Sequence, residues 1–290
     1  MREVALSRGL AFVALSAASF GAMAIFARAA FAGGTNVTGI LAARFAIAGL
    51  VLAALMVVLR RPWPRGRPLA VAIGMGGVGY VGQAMCFFAA LQYASAGLVA
   101  LLLYVYPTIV CLLSALFFGE KLTAKKLALL AVGFSGLALM LGGGTGTPTG
   151  IALGLAAAAF YSVYIVVGAH ELAGTDALAS TTVVCLAAFA MVCAIGVVET
   201  PRFPQVAWGW AALAAIALVS TVVAILAFFA GLKRVGPSLA SVVSTLEPVV
   251  TVALAWLVLG ESLTTAQFAG GALVLVAAVL LAVKAPARTR

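Results

Sequence analysis

Polar side chains recur at helical spacing within one apolar stretch near the C-terminal end of the chain. Ser241, Ser244, Glu247 and Thr251 follow one another at intervals of three, three and four residues, so on an α-helix they share one face. A carboxyl group in such a stretch can bind a cationic amino group, or take up and release a proton. The alternative is that Glu247 only satisfies backbone groups that Pro248 leaves open, because proline lacks an N–H donor.

Arg44 is a second charged side chain inside an apolar stretch. A guanidinium at that depth can hold a substrate carboxylate or pair with an acid such as Glu247. The alternative is a position near a helix end, from which the side chain extends outward to water. The depth of Arg44 decides between these interpretations.

Aromatic and amide side chains complete the set of candidate ligands. Tyr80 and Gln83 share a helix face, and an amide at membrane depth should face a cavity or another helix rather than lipid. Tyrosine rings suit flat apolar substrates, although Tyr161 and Tyr164 could equally pack at an interface between helices. The candidate substrate-binding residues are Arg44, Tyr80, Gln83, Tyr104, Tyr106, Tyr161, Tyr164, Ser241, Ser244, Thr245 and Glu247.

Two kinds of residue predict hinges. Pro107 and Pro248 each remove a backbone donor in the middle of an apolar stretch, which favours a kink. Gly77, Gly79 and Gly82 loosen another stretch, and close helix packing through small faces is the alternative. These glycines also form a G-x-G-x-x-G pattern, but no strand precedes it, so a dinucleotide site is excluded.

The elements that carry these residues are apolar throughout. Of 290 residues, 65% are hydrophobic and 8% charged, whereas a soluble domain carries about 25% charged residues. The chain is therefore predicted to be an all-α integral membrane protein with ten transmembrane helices. The runs cover residues 10–30, 40–59, 69–91, 98–118, 127–141, 151–167, 178–198, 208–232, 239–259 and 268–283.

The basic residues predict the orientation of these helices. Lysine and arginine in short loops stay on the cytoplasmic side, and cytoplasmic N- and C-termini place 14 of the 17 basic residues there. Only the loop at 169–177, which has acids but no Lys or Arg, fits this orientation weakly. The net charge of +10 is spread between apolar runs, so nucleic acid is not a predicted partner.

The two halves of the chain repeat one pattern. A shift of 141 positions aligns Pro107 with Pro248, and Gly-Glu-x-Leu-Thr at 119–123 with the same motif at 260–264. Residues 1–144 and 145–290 are therefore predicted to be two five-helix repeats. Because five is odd, the second repeat is inverted in the membrane, which is typical of transporters that work by alternating access.

These features resemble the drug/metabolite transporter superfamily, and specifically its EamA-type members. The resemblance is based on the 5+5 duplication and on a proline followed twelve residues later by Gly-Glu-x-Leu-Thr in each half. The sequence is most similar to bacterial exporters of aromatic and other neutral amino acids. The resemblance implies a central cavity lined mainly by helices one to four and six to nine, and transport without ATP.

The predicted function is secondary export of small amphipathic metabolites, aromatic and neutral amino acids among them, in the inner membrane. A proton-coupled multidrug or cation antiporter is the main alternative. A channel and an intramembrane enzyme are alternatives of another class, but one histidine and seven acids offer no evident catalytic group. Neither a metal nor a cofactor is predicted.

The predicted partners are a small-molecule substrate and the lipid bilayer. The protein is expected to be a monomer or a weak homodimer. Small faces for dimer contact would come from Gly133 and Gly136 on helix five and from Gly270 and Gly271 on helix ten.

Overall fold

The structure is a computed structural model that describes residues 2–119, 123–142, 146–172, 174–235, 240 and 243–283. All regular secondary structure in these residues is helical. The elements are α1 (Arg2–Gly21), α2 (Met23–Ala32), α3 (Val37–Val58), α4 (Arg67–Gly74), π1 (Met75–Tyr80), α5 (Val81–Ala90), α6 (Ala96–Leu103), α7 (Tyr106–Phe118), α8 (Ala124–Gly142), α9 (Pro148–Glu171), α10 (Ala177–Gly196), α11 (Ala207–Ala217), π2 (Leu218–Val223), α12 (Ala224–Val235), α13 (Leu246–Leu259) and α14 (Thr265–Val283).

Seven helical segments in the described residues are long and apolar enough to cross a membrane. Within α13 and α14, 246–259 and 265–280 form shorter apolar helices. Several of the long segments combine consecutive elements, such as α4, π1 and α5. The seven are Leu6–Ala32, Val37–Val58, Arg67–Ala90, Ala96–Phe118, Pro148–Glu171, Ala177–Gly196 and Ala207–Leu232.

Local sequence signals fix the helix ends. In the described residues, six helices begin at a side-chain cap, in which an Asn, Ser, Thr or Asp oxygen accepts a hydrogen bond from the backbone N–H three residues on. Gly119 and Gly260, which the repeat aligns, end α7 and α13 with φ of 65° and 68°, a conformation that glycine adopts without strain. The six caps are Asn36, Ser95, Thr123, Thr147, Asp176 and Thr264.

The first spanning segment is interrupted at Ala22, between α1 and α2. The Ile25 backbone N–H donates to the Ala22 carbonyl rather than to that of Gly21. The Thr251 hydroxyl of α13 lies 2.9 Å from the Gly21 carbonyl oxygen and donates to it. A side chain inserted into the hydrogen-bond ladder is an established cause of helix bending.

The two halves are interleaved rather than packed side by side. α1 packs on α12 and α13, α3 on α10, α5 on α9, α6 on α13 and α8 on α14. The repeat aligns α1 with α9, α5 with α12, and α6 and α7 with α13. Exchanging the halves therefore turns each pairing into another that is also present, since α9 packs on α5, α6 and α7. The helices therefore share one interior, and neither half encloses a core by itself.

The glycines proposed for a dimer contact pack within the chain instead. A β-carbon added to Gly136 of α8 would lie 2.6 Å from the Gly270 carbonyl oxygen of α14. One added to Gly133 would lie 2.7 Å from Thr108 Oγ1, and one added to Gly271 the same distance from a Leu101 methyl carbon. The prediction for these residues was wrong because the glycine faces of α8 and α14 pack against each other and against α6 and α7 of the same chain.

Replacing Gly136 with leucine should therefore destabilise the monomer. The added side chain meets backbone of α14, which cannot move aside as a side chain can, and overpacking of this kind costs about 1–3 kcal/mol. Thermal unfolding of purified protein in detergent should show a transition several degrees lower. Ala138→Leu, at an exposed position of the same helix, is the matched control. Equal unfolding temperatures for the two variants would contradict this packing.

Candidate functional site

A cavity of about 320 Å³ lies among helices from both halves of the chain. Its volume falls at the small end of the roughly 300–1,000 Å³ of small-molecule sites. Five of the six tyrosines of the chain line it. The lining residues are Ser16, Ala17, Phe20, Met23, Arg44, Tyr80, Gln83, Leu103, Tyr104, Tyr106, Tyr161, Tyr164, Thr181, Val184, Ile225, Phe228, Phe229, Ser244 and Glu247.

Arg44 of α3 forms one end of this cavity and is only 2% exposed. Its Nε donates to Thr221 Oγ1 at 3.0 Å, and its Nη2 donates to Tyr80 Oη at 2.8 Å. Its guanidinium carbon lies 5.3 Å from the ring centres of Phe45 and Tyr80 and 5.7 Å from that of Phe88. The side chain is therefore buried against hydroxyls and aromatic faces and does not extend to a membrane surface.

Neither charged group of the cavity belongs to an ion pair in the described part of the chain. The ion pairs found there are Arg28–Glu261, Arg61–Asp176 and Arg67–Glu171. A buried charge is normally paired, since removing it from water is costly. The proposed Arg44–Glu247 pair is thus not formed, and both groups are available to a ligand.

Glu247 lies in the first turn of α13 beside Tyr104 of the other half. The Tyr104 Oη lies 3.0 Å from Glu247 Oε2 and 2.8 Å from the Ser244 carbonyl oxygen. Ser244 is four residues before Pro248, so its carbonyl is the one that the proline leaves without a helical donor. Because Tyr104 donates a hydrogen bond to the Ser244 carbonyl, Glu247 is not needed to satisfy that carbonyl.

A row of tyrosine rings connects the two charged ends. Ring centres are 5.6 Å apart for Tyr104 and Tyr106, and 4.8 Å apart for Tyr106 and Tyr161. The row continues from Tyr161 to Tyr164 at 6.2 Å and from Tyr164 to Tyr80 at 5.7 Å. These spacings are typical of interacting rings, so the wall between the charges is a continuous aromatic surface.

The predicted glycine hinge coincides with a π-helical segment. Gly77 and Gly79 lie in π1, and Gly82 follows in α5. The second segment, π2, occupies the corresponding part of the other half, and the 141-residue shift aligns Tyr80 with Thr221. Both of these residues are Arg44 partners, so one side chain joins the two π segments. π-helical turns are frequent at functional sites.

The two prolines lie just after helix interruptions. α6 ends at Leu103 and α7 begins at Tyr106, so Pro107 is the second residue of α7. Pro248 is the third residue of α13, after a turn at Thr245. In the first turn of a helix the missing N–H removes no hydrogen bond from the helix that follows, but the carbonyl four residues earlier, in the preceding helix, loses its donor. The expected kinks within continuous helices are therefore breaks between helices.

One face of the bundle is closed around Glu261 of the second Gly-Glu-x-Leu-Thr motif. Its carboxylate accepts from Arg28 Nη2 at 3.2 Å and from the Ala96 backbone N–H at 2.8 Å. The same Arg28 nitrogen donates to the Ala94 carbonyl oxygen at 2.7 Å. These contacts, the Arg28–Glu261 tie, join the end of α2 to the loops before α6 and α14.

The opposite face carries two ion pairs. Arg61, after α3, pairs with the α10 cap Asp176 at 3.2 Å, and Arg67 at the start of α4 pairs with Glu171 at the end of α9 at 2.7 Å. The end of α9 and the start of α10 therefore lie beside the arginine-rich segment between α3 and α4. Glu171 and Asp176, whose loop fitted the charge pattern weakly, are explained by these neighbours.

Two spanning segments contribute lining residues from their halves nearer this second face. Thr181 and Val184 lie in the second turn of α10, which begins at the Asp176 cap. Phe228 and Phe229 lie in the second half of the segment Ala207–Leu232, in the middle of α12. The Arg28–Glu261 tie lies at the opposite face.

Of the predicted ligand residues that the structure describes, all but one line the cavity. Thr245 is absent from the lining, and Ser241 lies outside the described residues. Thr251 donates to the Gly21 and Glu247 carbonyls instead. The lining includes Arg44, Tyr80, Gln83, Tyr104, Tyr106, Tyr161, Tyr164, Ser244 and Glu247.

Sequence reasoning missed several members of the site. Ser16 and Phe20 of α1 and Thr181 of α10 carry no motif, and their position depends on how the helices rotate against each other. Thr221 was identifiable, since the repeat aligns it with Tyr80. Phe228 and Phe229 also belong to the aligned region of the repeat, but their partners Phe87 and Phe88 do not line the cavity.

The fold and the cavity define a polytopic membrane protein with a polar and aromatic cavity among its helices. The model of the EamA-like transporter family matches residues 7–142 and, separately, residues 148–283. The chain belongs to this family and is a multi-pass membrane transporter. The resemblance found in the sequence is thereby confirmed.

Individual relatives agree with this assignment. The aromatic amino acid exporter YddG of Ancylobacter novellus is 30% identical over 215 residues, covering 71% of each chain. The inner membrane transporter YedA of Escherichia coli is 29% identical over 82% of this chain and 79% of its own. A solved crystal structure shares 25% identity and a TM-score of 0.64, with 96% of both chains covered. The predicted inner-membrane location agrees with these relatives.

Replacing Arg44 with lysine should destabilise the protein although the charge is kept. An ammonium group lacks the planar guanidinium that reaches two partners and stacks on rings, and a lost hydrogen bond to a charged group costs about 1.5–3 kcal/mol. Thermal unfolding in detergent without substrate measures the effect. Arg65→Lys, at an exposed loop position, should leave the transition unchanged. If Arg44→Lys behaves like Arg65→Lys, the two hydrogen bonds do not support the fold.

Proposed function

We propose that the protein exports small amphipathic metabolites, chiefly aromatic and other neutral amino acids, by alternating access through the central cavity. One observation carries the proposal: a buried guanidinium and a half-buried carboxyl, neither of them ion-paired within the described residues, face one aromatic cavity. A zwitterionic amino acid supplies the charge that each lacks. Its carboxylate would bind Arg44, and its ammonium would bind Glu247.

The aromatic row favours ring-bearing substrates. A side-chain ring can stack along the tyrosines between the two charges, where it loses contact with water and gains edge or face contacts. The name of the YddG relative describes that protein as an exporter of aromatic amino acids, which supports the same substrate class here. Transport needs no nucleotide in this mechanism, since binding energy and the substrate gradient drive the cycle.

The proposed topology is ten transmembrane helices in two inverted repeats, residues 1–144 and 145–290, with both termini cytoplasmic. The double match to the family model and the exchange symmetry of the helix pairings support the duplication. The distribution of basic residues supports the orientation. The cavity then opens toward the cytoplasm, as uptake for export requires. We propose the monomer as the transporting unit, because one chain supplies the whole cavity lining.

Substrate binding can start the conformational change at Arg44. A carboxylate competes with Tyr80 and Thr221 for the guanidinium, so binding loosens the connection between π1 and π2. The segments that contain these turns can then bend near Pro107 and Pro248. Release of the substrate to the outside further requires that the Arg28–Glu261 tie opens.

Competition in counterflow tests the two-charge site. Proteoliposomes loaded with unlabelled phenylalanine should take up labelled phenylalanine by exchange. Phenylpropionate, which lacks the amine, and phenethylamine, which lacks the carboxylate, should each compete at least tenfold more weakly than phenylalanine, since a charge-assisted hydrogen bond contributes about 1.5–3 kcal/mol. Glu247→Gln should weaken competition by phenylalanine far more than competition by phenylpropionate. The exposed Glu199→Gln should change neither. Strong competition by phenethylamine alone would favour a cation antiporter and contradict the amino-acid site.

Cysteine labelling tests the proposed orientation. Trp63 and Phe203 are exposed, at 43% and 42%, in loops on opposite faces. In a chain without its native cysteines, a membrane-impermeant maleimide should label Phe203→Cys in intact cells. It should label Trp63→Cys only after the membrane is permeabilised. The reverse pattern would place the termini outside.

A further inference from the structure

We infer that a groove on the outside of the bundle binds one anionic phospholipid, with an acyl chain in the groove and the phosphate on the arginines at its end. The groove, which we call the lipid groove, lies between the segment α4–π1 and helix α9. It is distinct from the central cavity, so the inference does not depend on which substrate the protein carries.

The lipid groove is a second cavity, of about 590 Å³, and Tyr164 alone among its lining residues carries a polar side-chain atom. The groove is open toward the membrane, because Val78 and Val163 in its wall are 62% and 50% exposed. A β-carbon added to Gly74, also in the wall, would meet open space. An apolar concavity offers water no hydrogen-bond partners, so a hydrocarbon chain is the ligand that suits it.

The length of the lipid groove matches one leaflet of a bilayer. Its wall on α9 runs from Ala156 to Val167, and eleven helical steps of about 1.5 Å give about 16 Å. The hydrocarbon core of a bilayer is about 30 Å thick, so one leaflet contributes about 15 Å. An acyl chain that enters from one membrane surface can therefore lie along the whole groove.

One end of the lipid groove lies at the ion pair between Arg67 and Glu171. The closest atoms of this pair are 2.7 Å apart, and Val71 and Val167 of the groove wall lie about one helical turn further in. Trp63 is exposed in the segment just before Arg67, and tryptophan is enriched at the level of lipid headgroups. This end of the groove is therefore the one at the membrane surface.

The same end carries an excess of positive charge. Residues 60–67 contain four arginines, of which two pair with Glu171 and Asp176. Arg60 and Arg65 are exposed and belong to no ion pair in the part of the chain that the structure describes. A guanidinium binds phosphate through paired hydrogen bonds, and basic groups between helices at the membrane surface bind anionic headgroups. An anionic phospholipid therefore complements both the apolar groove and the charge at its end.

The lipid groove borders the central cavity at one side chain. Tyr164 lines both, and its ring centre lies 5.7 Å from that of Tyr80, which accepts a hydrogen bond from Arg44. Val78 and Gly79 place π1 in the groove wall. A bound chain therefore packs against π1 and against the ring that the two cavities share, so the lipid stabilises this segment without entering the substrate site.

Native mass spectrometry tests the headgroup. Delipidated full-length protein in detergent is titrated with dioleoyl phosphatidylglycerol, which is anionic, or with dioleoyl phosphatidylcholine, which has the same chains. The first phosphatidylglycerol should bind about tenfold more tightly than the first phosphatidylcholine, because only its phosphate charge is left unbalanced. Arg65→Gln should lower this preference about fivefold. Arg202→Gln, exposed at the opposite face, is the control and should keep the preference.

A blocked groove tests where the chain binds. Ala159→Phe places a ring in the groove from an exposed position of its wall, so it should weaken the first binding of both lipids by roughly tenfold, since each buried CH₂ group adds to binding. Ala152→Phe, two turns earlier on α9 at an exposed position outside the groove, is the matched control and should bind as wild type.

Two results overturn the inference. The first is equal binding of the two lipids by the wild-type protein, and the second is unchanged lipid binding by Ala159→Phe. A dimer in the same spectra that Ala159→Phe abolishes and Ala152→Phe keeps would assign the lipid groove to a second copy of the chain, and it would overturn the inference as well.

Discussion

The cavity depends on one electrostatic constraint, the burial of the Arg44 guanidinium with no acidic partner among the described residues. An isolated cation in a low-dielectric interior is tolerated only where dipoles and ring faces replace water. Tyr80 supplies a hydroxyl from one half of the chain, Thr221 supplies one from the other half, and Phe45 and Phe88 supply ring faces. The requirement that these groups meet at one point fixes the relative position of π1, π2 and α3. A ligand carboxylate that draws Arg44 away therefore acts on both halves at once.

The second constraint is that backbone carbonyls inside the membrane need hydrogen-bond donors. Proline at positions 107 and 248 prevents a continuous helix, and a carbonyl opened by a proline must find another donor where no water is available. Tyr104 gives such a donor to Ser244, and Thr251 gives one to Gly21. In both cases a side chain from one half repairs a helix break in the other half. The polar groups at these breaks are then placed beside the cavity.

Much of this could be predicted from the sequence, because hydropathy and duplication are local or repetitive signals. The apolar runs located the spanning segments, and the 141-residue shift identified the Gly119 and Gly260 helix ends. Gly77 and Gly79 marked the position of π1. Composition also limited the candidates for the site, since a chain with seven acids places few of them inside a spanning segment, and Glu247 is one.

The remaining features depend on tertiary contacts that no local pattern encodes. The break at Ala22 requires the Thr251 hydroxyl from a helix more than 200 residues away. Whether Arg44 pairs with Glu247 or with Tyr80 depends on the depth and rotation of three segments. Thr181 and Ser16 line the cavity because of helix rotation, and Gly136 faces Gly270 rather than a second molecule for the same reason.

The interleaving of the halves has a consequence for how the protein is made. Ribosomes deliver the helices in order, so α1 is synthesised more than 200 residues before α12 and α13, on which it packs. Until those helices emerge, Arg44 lacks Thr221 and the helix break at Ala22 lacks Thr251. Nascent chains should therefore hold polar groups exposed to lipid during most of translation, which makes the interval before the last helices insert the period in which quality-control proteases have most access to the chain.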